Sequence, residues 1–182
     1  MRRVAITGVG VIAGPGRTAW EFWSALLEGR SAIGPLESVD TSNIRFQNGS
    51  EVRGYSHAPY FEDRRADFMD RFAQFAVIAA REAVAEAGIE WTPELRERTA
   101  IITGSCVGGQ STEDLGFVEV YKLNHNRVHP LTIPKTMANA GASHISMEFG
   151  ITGPSFTIST ACSSAAHAIG QAFWMIRSGM VD

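Results

Sequence analysis

The chain has 182 residues, 45% of them hydrophobic and 19% charged, which suits one packed domain and argues against disorder. A net charge of −3, from 16 basic and 19 acidic side chains, and no long basic run give no sign of nucleic-acid binding, although a local basic patch for an acidic partner stays open. The two cysteines, Cys106 and Cys162, form neither a C-x-x-C pair nor a disulfide framework, which argues against a metal site and points to a reducing, cytoplasmic compartment.

Met1-Arg2-Arg3 followed by an apolar run has the outline of a signal peptide. Glycines punctuate that run and no small-x-small cleavage site follows, so a buried strand over residues 3–7 leading into a glycine turn is expected instead. No apolar run is long enough to span a bilayer, so no membrane partner is expected. Thr18 is placed to cap a helix through Trp20, Phe22, Trp23, Leu26 and Leu27, with Gly29 as its stop. Residues 31–63 are turn-rich and read as an excursion with short strands. A long helix is expected over 66–87, with Met69, Phe72, Phe75, Ala76 and Ala79 on its buried face and Gly88 at its end. A second buried strand spans 99–104 and feeds the loop Ser105-Cys106-Val107-Gly108-Gly109. Residues 130–134 break the chain at two prolines. A small-residue helix follows over 136–149, then a third strand over 155–159, then a helix over 162–178 stopped by Gly179. Alternating strands and helices predict an α/β fold with a largely parallel sheet, and the whole of 1–182 reads as one domain.

Gly8-x-Gly10-x-x-x-Gly14 follows the first strand and precedes a helix, which raises a dinucleotide-binding α/β domain. The third glycine is misplaced, and residues 28–35 supply no strand ending in the acidic residue that would hold a ribose. A tight strand-to-helix turn is the favoured reading, and no cofactor is expected.

The stretch Gly153-Pro154-Ser155-Phe156-Thr157-Ile158-Ser159-Thr160-Ala161-Cys162-Ser163-Ser164-Ala165-Ala166-His167 carries more. A strand delivers Cys162 to the first turn of a helix, where unpaired N–H groups and the positive helix end favour thiolate over thiol. Its neighbours are small and leave room for an extended acyl or pantetheine chain. From position and composition alone, a nucleophile and an inert core cysteine are equally good readings.

Thr160-Ala161-Cys162-Ser163-Ser164-Ala165 with the following His167 and Gly170 resembles the active-site signature of β-ketoacyl-(acyl carrier protein) synthases. The opening Val4-Ala5-Ile6-Thr7-Gly8-Val9-Gly10-Val11, the loop Gly104-Ser105-Cys106-Val107-Gly108-Gly109, and Met137-Ala138-Asn139 with Phe149-Gly150-Ile151-Thr152-Gly153-Pro154 are similar to that family's segments in the same order. The resemblance covers essentially the whole chain. It implies a thiolase-like fold, of which this chain is the amino-terminal half of a five-layered αβαβα architecture. It also implies an acyltransferase of fatty-acid or polyketide synthesis. Cys162 would take an acyl group from an acyl carrier protein, and a malonyl-carrier thioester would then condense with it after losing CO₂. The Cys162 N–H would supply one oxyanion donor.

The resemblance further implies substrate contacts at Val107, Ser163 and Ser164. For Val107, a gate to the acyl pocket and ordinary packing both stay open. His167 is expected to be a satisfied core histidine, and Cys106, where the family has glycine, to be structural. His57, His125, His129 and His144 match no family motif. The family's carboxy-terminal half, with two histidines and a lysine for decarboxylation, is not represented, so the 182-residue chain alone is expected to be inactive in condensation. Arg64 and Arg65 are either a carrier-docking point blunted by Asp63 and Asp67 or a solvated helix start. A homodimer is implied for the complete enzyme. The other readings are a non-catalytic partner subunit, against which Cys162 counts, a coenzyme A-dependent thiolase, and the nucleotide-binding domain above.

Overall fold

The computed structural model describes residues 2–182. In chain order its elements are α1 (Ala19–Leu27), β1 (Ile33–Pro35), β2 (Asn48–Ser50), α2 (Asp63–Ala66), α3 (Arg71–Ala87), α4 (Pro93–Glu97), β3 (Ile101–Gly104), α5 (Gln110–Phe117) with a π-helical extension Val118–Lys122, α6 (Thr132–Thr136), α7 (Ala140–Phe149), β4 (Ser155–Ile158) and α8 (Ser164–Ser178). These fall into two compact units.

The smaller unit comprises Thr7–Tyr60 and Ile78–Gly88. Thr18 caps α1 as expected, its hydroxyl accepting the Glu21 N–H at 3.2 Å. The apolar pattern of α1 does not mark a buried face: Ala25 is buried, whereas Trp20 is 75% exposed. Strands β1 and β2 form an antiparallel pair with Gly34 opposite Gly49, the short-stranded excursion expected over 31–63. Gly8 and Gly10 lie against α3 so closely that a Cβ would stand 2.0 Å from the Ala83 carbonyl oxygen and 1.8 Å from that of Ala79. Glu86 and Glu82 then accept the N–H groups of Val9, at 2.6 Å, and Val11, at 2.8 Å. The glycine motif therefore serves helix packing, and carboxylates occupy the amides that a phosphate would need.

The larger unit comprises residues 2–6, Phe61–Val77 and Ile89–Asp182. Its centre is the parallel pair β3–β4, in register from Ile101 opposite Ser155 to Gly104 opposite Ile158. Both α7 and α8 pack on this pair. Ile101, Ala142 and Ile151 form a buried cluster with Trp91, Ile145 and Phe149 around it. Trp91 and Phe149 meet with ring centroids 5.6 Å apart. Arg65 pairs with Glu148 on α7 and lies over the Phe61 ring.

Several expected elements are redrawn. Residues 3–7 form no strand, and Ile6 is 84% exposed, because no described residue offers this segment a ladder. The helix expected over 66–87 divides into α2 and α3. Asp70 caps the second part, accepting the Phe72 N–H at 3.3 Å, while its other carboxylate oxygen accepts both the N–H and the hydroxyl of Thr112 at 2.8 and 2.7 Å. The most buried positions along this stretch are Ala66, Met69, Asp70, Ala73, Gln74, Val77 and Ile78, while Phe72, Phe75, Ala76 and Ala79 are only partly buried. Pro134 lies within α6, in a first helical turn where no intrahelical N–H bond is required. The helix expected over 136–149 starts at Ala140, because Met137 is extended. The helix expected from Cys162 starts at Ser164. Gly29, Gly88 and Gly179 all take positive φ just after α1, α3 and α8.

Candidate active site

Strand β4 leads through Ser159 and Thr160 to Ala161, which takes φ +50°, a conformation that costs an alanine roughly 1–2 kcal/mol. The surrounding hydrogen bonds hold it there. The N–H groups of Ser163 and Ser164 donate to the carbonyls of Thr160 and Ala161, each at 3.1 Å. The Ser163 hydroxyl donates to the Thr160 carbonyl at 2.7 Å. The Ser164 hydroxyl accepts the Thr160 N–H at 2.9 Å and donates to the Ala161 carbonyl at 2.6 Å. The result is a sharp strand-to-helix turn with Cys162 at its apex, exposed to solvent. No described residue accepts a hydrogen bond from the Cys162 N–H.

Cys162 stands two residues ahead of α8 and not within its first turn. It immediately precedes Ser163, the N-cap residue of this 15-residue helix. Ser164, expected to touch substrate, is 3% exposed with its hydroxyl consumed inside the turn, so it is a brace. Ser163 is exposed beside Cys162.

His167 is exposed and not a core residue; its Nδ1 lies 2.8 Å from the Thr160 hydroxyl. This contact bridges the first turn of α8 to the residue before Ala161, and no helical spacing rule announces it, because Thr160 lies outside the helix. Of the remaining histidines, His125 pairs with Glu119 and His129 accepts the Leu131 N–H at 3.1 Å. His144 is partly buried, and burial pushes its pKa down; a hydrogen bond to the Phe68 backbone opposes this and the nearby Arg65 charge adds to it.

The loop 105–109 leaves β3 next to this turn. Ser105 N–H donates to Ile158 O at 3.1 Å, the last bond between the two chains. Gly104 is needed here, since a Cβ would stand 2.4 Å from both the Ser164 carbonyl carbon and the Ala165 nitrogen. Cys162 and Val107 are thus carried on loops from the carboxyl ends of neighbouring parallel strands, the usual place for a site in such a sheet. Val107 is 45% exposed and lines a recess of about 280 Å³ with Phe72, Phe75 and Gly108; Cys162 is not among its walls. Cys106, expected to be structural, is exposed in the same loop. Arg64 is exposed, whereas Arg65 is engaged by Glu148 and Phe61.

The profile of the β-ketoacyl synthase N-terminal domain matches residues 1–182. The chain is 34% identical over 181 residues to 3-oxoacyl-[acyl-carrier-protein] synthase 2 of Vibrio cholerae, covering all of this chain and 44% of that protein. It is 36% identical over 183 residues to nodulation protein E of Rhizobium sp. strain N33, covering 45% of that protein. Among solved structures, the ishigamide ketosynthase/chain length factor superposes with a TM-score of 0.86 at 29% identity, over 97% of this chain and 44% of that one. A β-ketoacyl synthase from Burkholderia phymatum superposes over the whole chain with a TM-score of 0.82 at 24% identity, a likeness of fold. The chain spans less than half the length of these relatives. Its fold is the amino-terminal half of the thiolase-like α/β fold, and the chain belongs to the β-ketoacyl synthase family as its N-terminal domain.

Proposed function

We propose that the protein is a 3-oxoacyl-(acyl carrier protein) synthase and that Cys162 is its acyl-carrying nucleophile. The observation that carries this reading is the braced turn at Ala161, which lifts an exposed thiol to the amino-terminal end of α8. Strained backbone at a reactive side chain is a mark of a functional site when the surroundings hold it so firmly.

The Cys162 sulfur attacks the thioester carbonyl of an acyl-carrier protein, the acyl group passes to the sulfur, and the carrier thiol leaves. A malonyl-carrier thioester then loses CO₂, and the carbanion so formed attacks the acyl carbonyl. A carbon–carbon bond forms and the Cys162 sulfur departs as thiolate, ready for the next turnover. The N–H of Cys162 donates to the developing oxyanion. Ser163 and Val107 touch the acyl chain, Val107 as its gate. Arg64 offers a point of attraction to an acidic carrier. We assign residues 1–182 to the nucleophile-bearing half of a cytoplasmic homodimeric enzyme, whose second half supplies the groups for decarboxylation. A non-catalytic partner subunit has no use for a presented thiol, so Cys162 favours the catalytic reading.

The test is condensation by the intact protein supplied with an acyl-carrier thioester and malonyl-carrier protein. A 3-oxoacyl-carrier product that disappears with Cys162→Ala supports the assignment; product formation by that variant contradicts it.

A further inference from the structure

Cys106 and Cys162 are the two cysteines of the chain, and both are exposed. They sit on the two loops that leave the carboxyl ends of β3 and β4. The backbones around these loops meet close in sequence to both thiols. Ser105, the neighbour of Cys106, makes the last bond of the ladder. Gly104 abuts the backbone of Ser164 and Ala165 with no room for a Cβ. Cys106 is two residues beyond that contact and Cys162 is two residues before Ser164. Two residues span at most about 7 Å of chain. Cys106, Val107 and Gly108 donate no backbone N–H to a described residue, and the loop is held instead by the Val107 carbonyl, which accepts the Ser105 hydroxyl, and by Gly108, which packs on the Thr136 backbone. The reach of these two short segments from the shared contact includes the Cα separation of about 4.4–6.8 Å that a disulfide requires.

We infer that Cys106 and Cys162 form a reversible disulfide that takes the nucleophile out of service under oxidising conditions. The inference rests on the reading of Cys162 as the acylated residue. With a peroxide as oxidant, the Cys162 thiolate attacks the O–O bond, becoming a sulfenic acid as the first oxygen leaves as water after proton uptake. The Cys106 thiol then attacks the sulfenic sulfur; the S–S bond forms and a second water leaves. Two thiols give up two electrons and two protons, and one hydrogen peroxide becomes two waters. A small dithiol reverses the step. Without Cys106, the sulfenic acid of an exposed nucleophile is open to further oxidation to sulfinic acid, which a dithiol does not reverse. Cys106, where the resemblance leads one to expect glycine, therefore guards the site.

The test treats the reduced intact protein with equimolar hydrogen peroxide and digests it with trypsin without reduction. Cleavage after Arg98, Lys122, Lys135 and Arg177 places Cys106 in peptide 99–122 and Cys162 in peptide 136–177. The expected result is a linked pair two hydrogens lighter than the free peptides, with acyl uptake lost on oxidation and fully restored by dithiothreitol. Cys106→Ser is expected to take up acyl groups normally when reduced, and to lose that ability irreversibly when the peroxide is raised to several equivalents, with Cys162 recovered as sulfinic acid after consuming two peroxides. Absence of the linked pair while Cys162 alone is oxidised overturns the inference, as does equal recovery of Cys106→Ser. Failure of the reduced protein to take an acyl group on Cys162 instead overturns the reading beneath it, and the linked peptide is scored independently of that outcome.

Discussion

Ser164 and Thr160 are joined by a hydrogen bond of 2.9 Å from the Thr160 N–H to the Ser164 hydroxyl, and the same hydroxyl donates to the carbonyl of the intervening Ala161. One buried side chain on α8 therefore fixes the end of the chain from β4, four residues earlier. Nothing in this arrangement engages Cys162 itself. The brace acts on the backbone to either side and leaves the thiol exposed.

Removing that brace tests its role. Ser164→Ala removes the acceptor of the Thr160 N–H and the donor to the Ala161 carbonyl, two partly buried bonds worth about 0.5–1.5 kcal/mol each. The expected outcome is a lower urea midpoint together with slower acylation of Cys162. Unchanged stability and an unchanged acylation rate would show that the turn holds without the hydroxyl.

Ala161 offers a test in the opposite direction. Glycine reaches positive φ without the steric cost that alanine bears there, although it gives more entropy to the unfolded chain. Ala161→Gly is expected to raise stability by up to about 1 kcal/mol. Ala161→Val is expected to lower it, because a branched Cβ fits the left-handed region worse. Denaturation curves for the two variants that move the same way would contradict the strain assigned to this residue.

His144 gives a pH dependence whose sign follows from its environment. Burial holds its folded pKa below the ordinary 6.5, so the native state binds the proton less readily than the unfolded chain. Its contribution to stability is complete above that ordinary value and is lost as the pH falls from there through the folded value. The nearby Arg65 charge, paired with Glu148, acts in the same direction as burial. Urea midpoints measured from about pH 7 down to about pH 5 are expected to fall, and His144→Gln is expected to flatten the slope. An equal slope in the variant would remove His144 from the account.

The sequence carried much of this architecture where local chemistry dominates. Thr18, Gly29, Gly88 and Gly179 mark helix ends through side-chain caps and positive φ, and all four act as their residue types suggest. The order strand, Cys162, helix was equally readable from the apolar run and the small residues after it. Residues 3–7 form no strand because an apolar run says nothing about whether a partner strand is available. The break before α3 was missed because the apolar spacing runs through it, although Asp70 ahead of that apolar run is a capping signal. Helix α5 passed unnoticed because it is polar and contains Gly116. At the site, the Ser164 brace, the left-handed Ala161 and the His167 contact with Thr160 depend on turn geometry and on contacts outside the helical periodicity.

The most direct measurement is peptide mapping of the intact, reduced protein after incubation with an acyl-carrier thioester. Peptide 136–177 is expected to gain the mass of the acyl group, with fragmentation placing it on Cys162, and Cys162→Ala is expected to gain nothing. An unmodified peptide 136–177 in a protein that forms product, or an acyl group found on any other residue, would contradict the role given to this thiol.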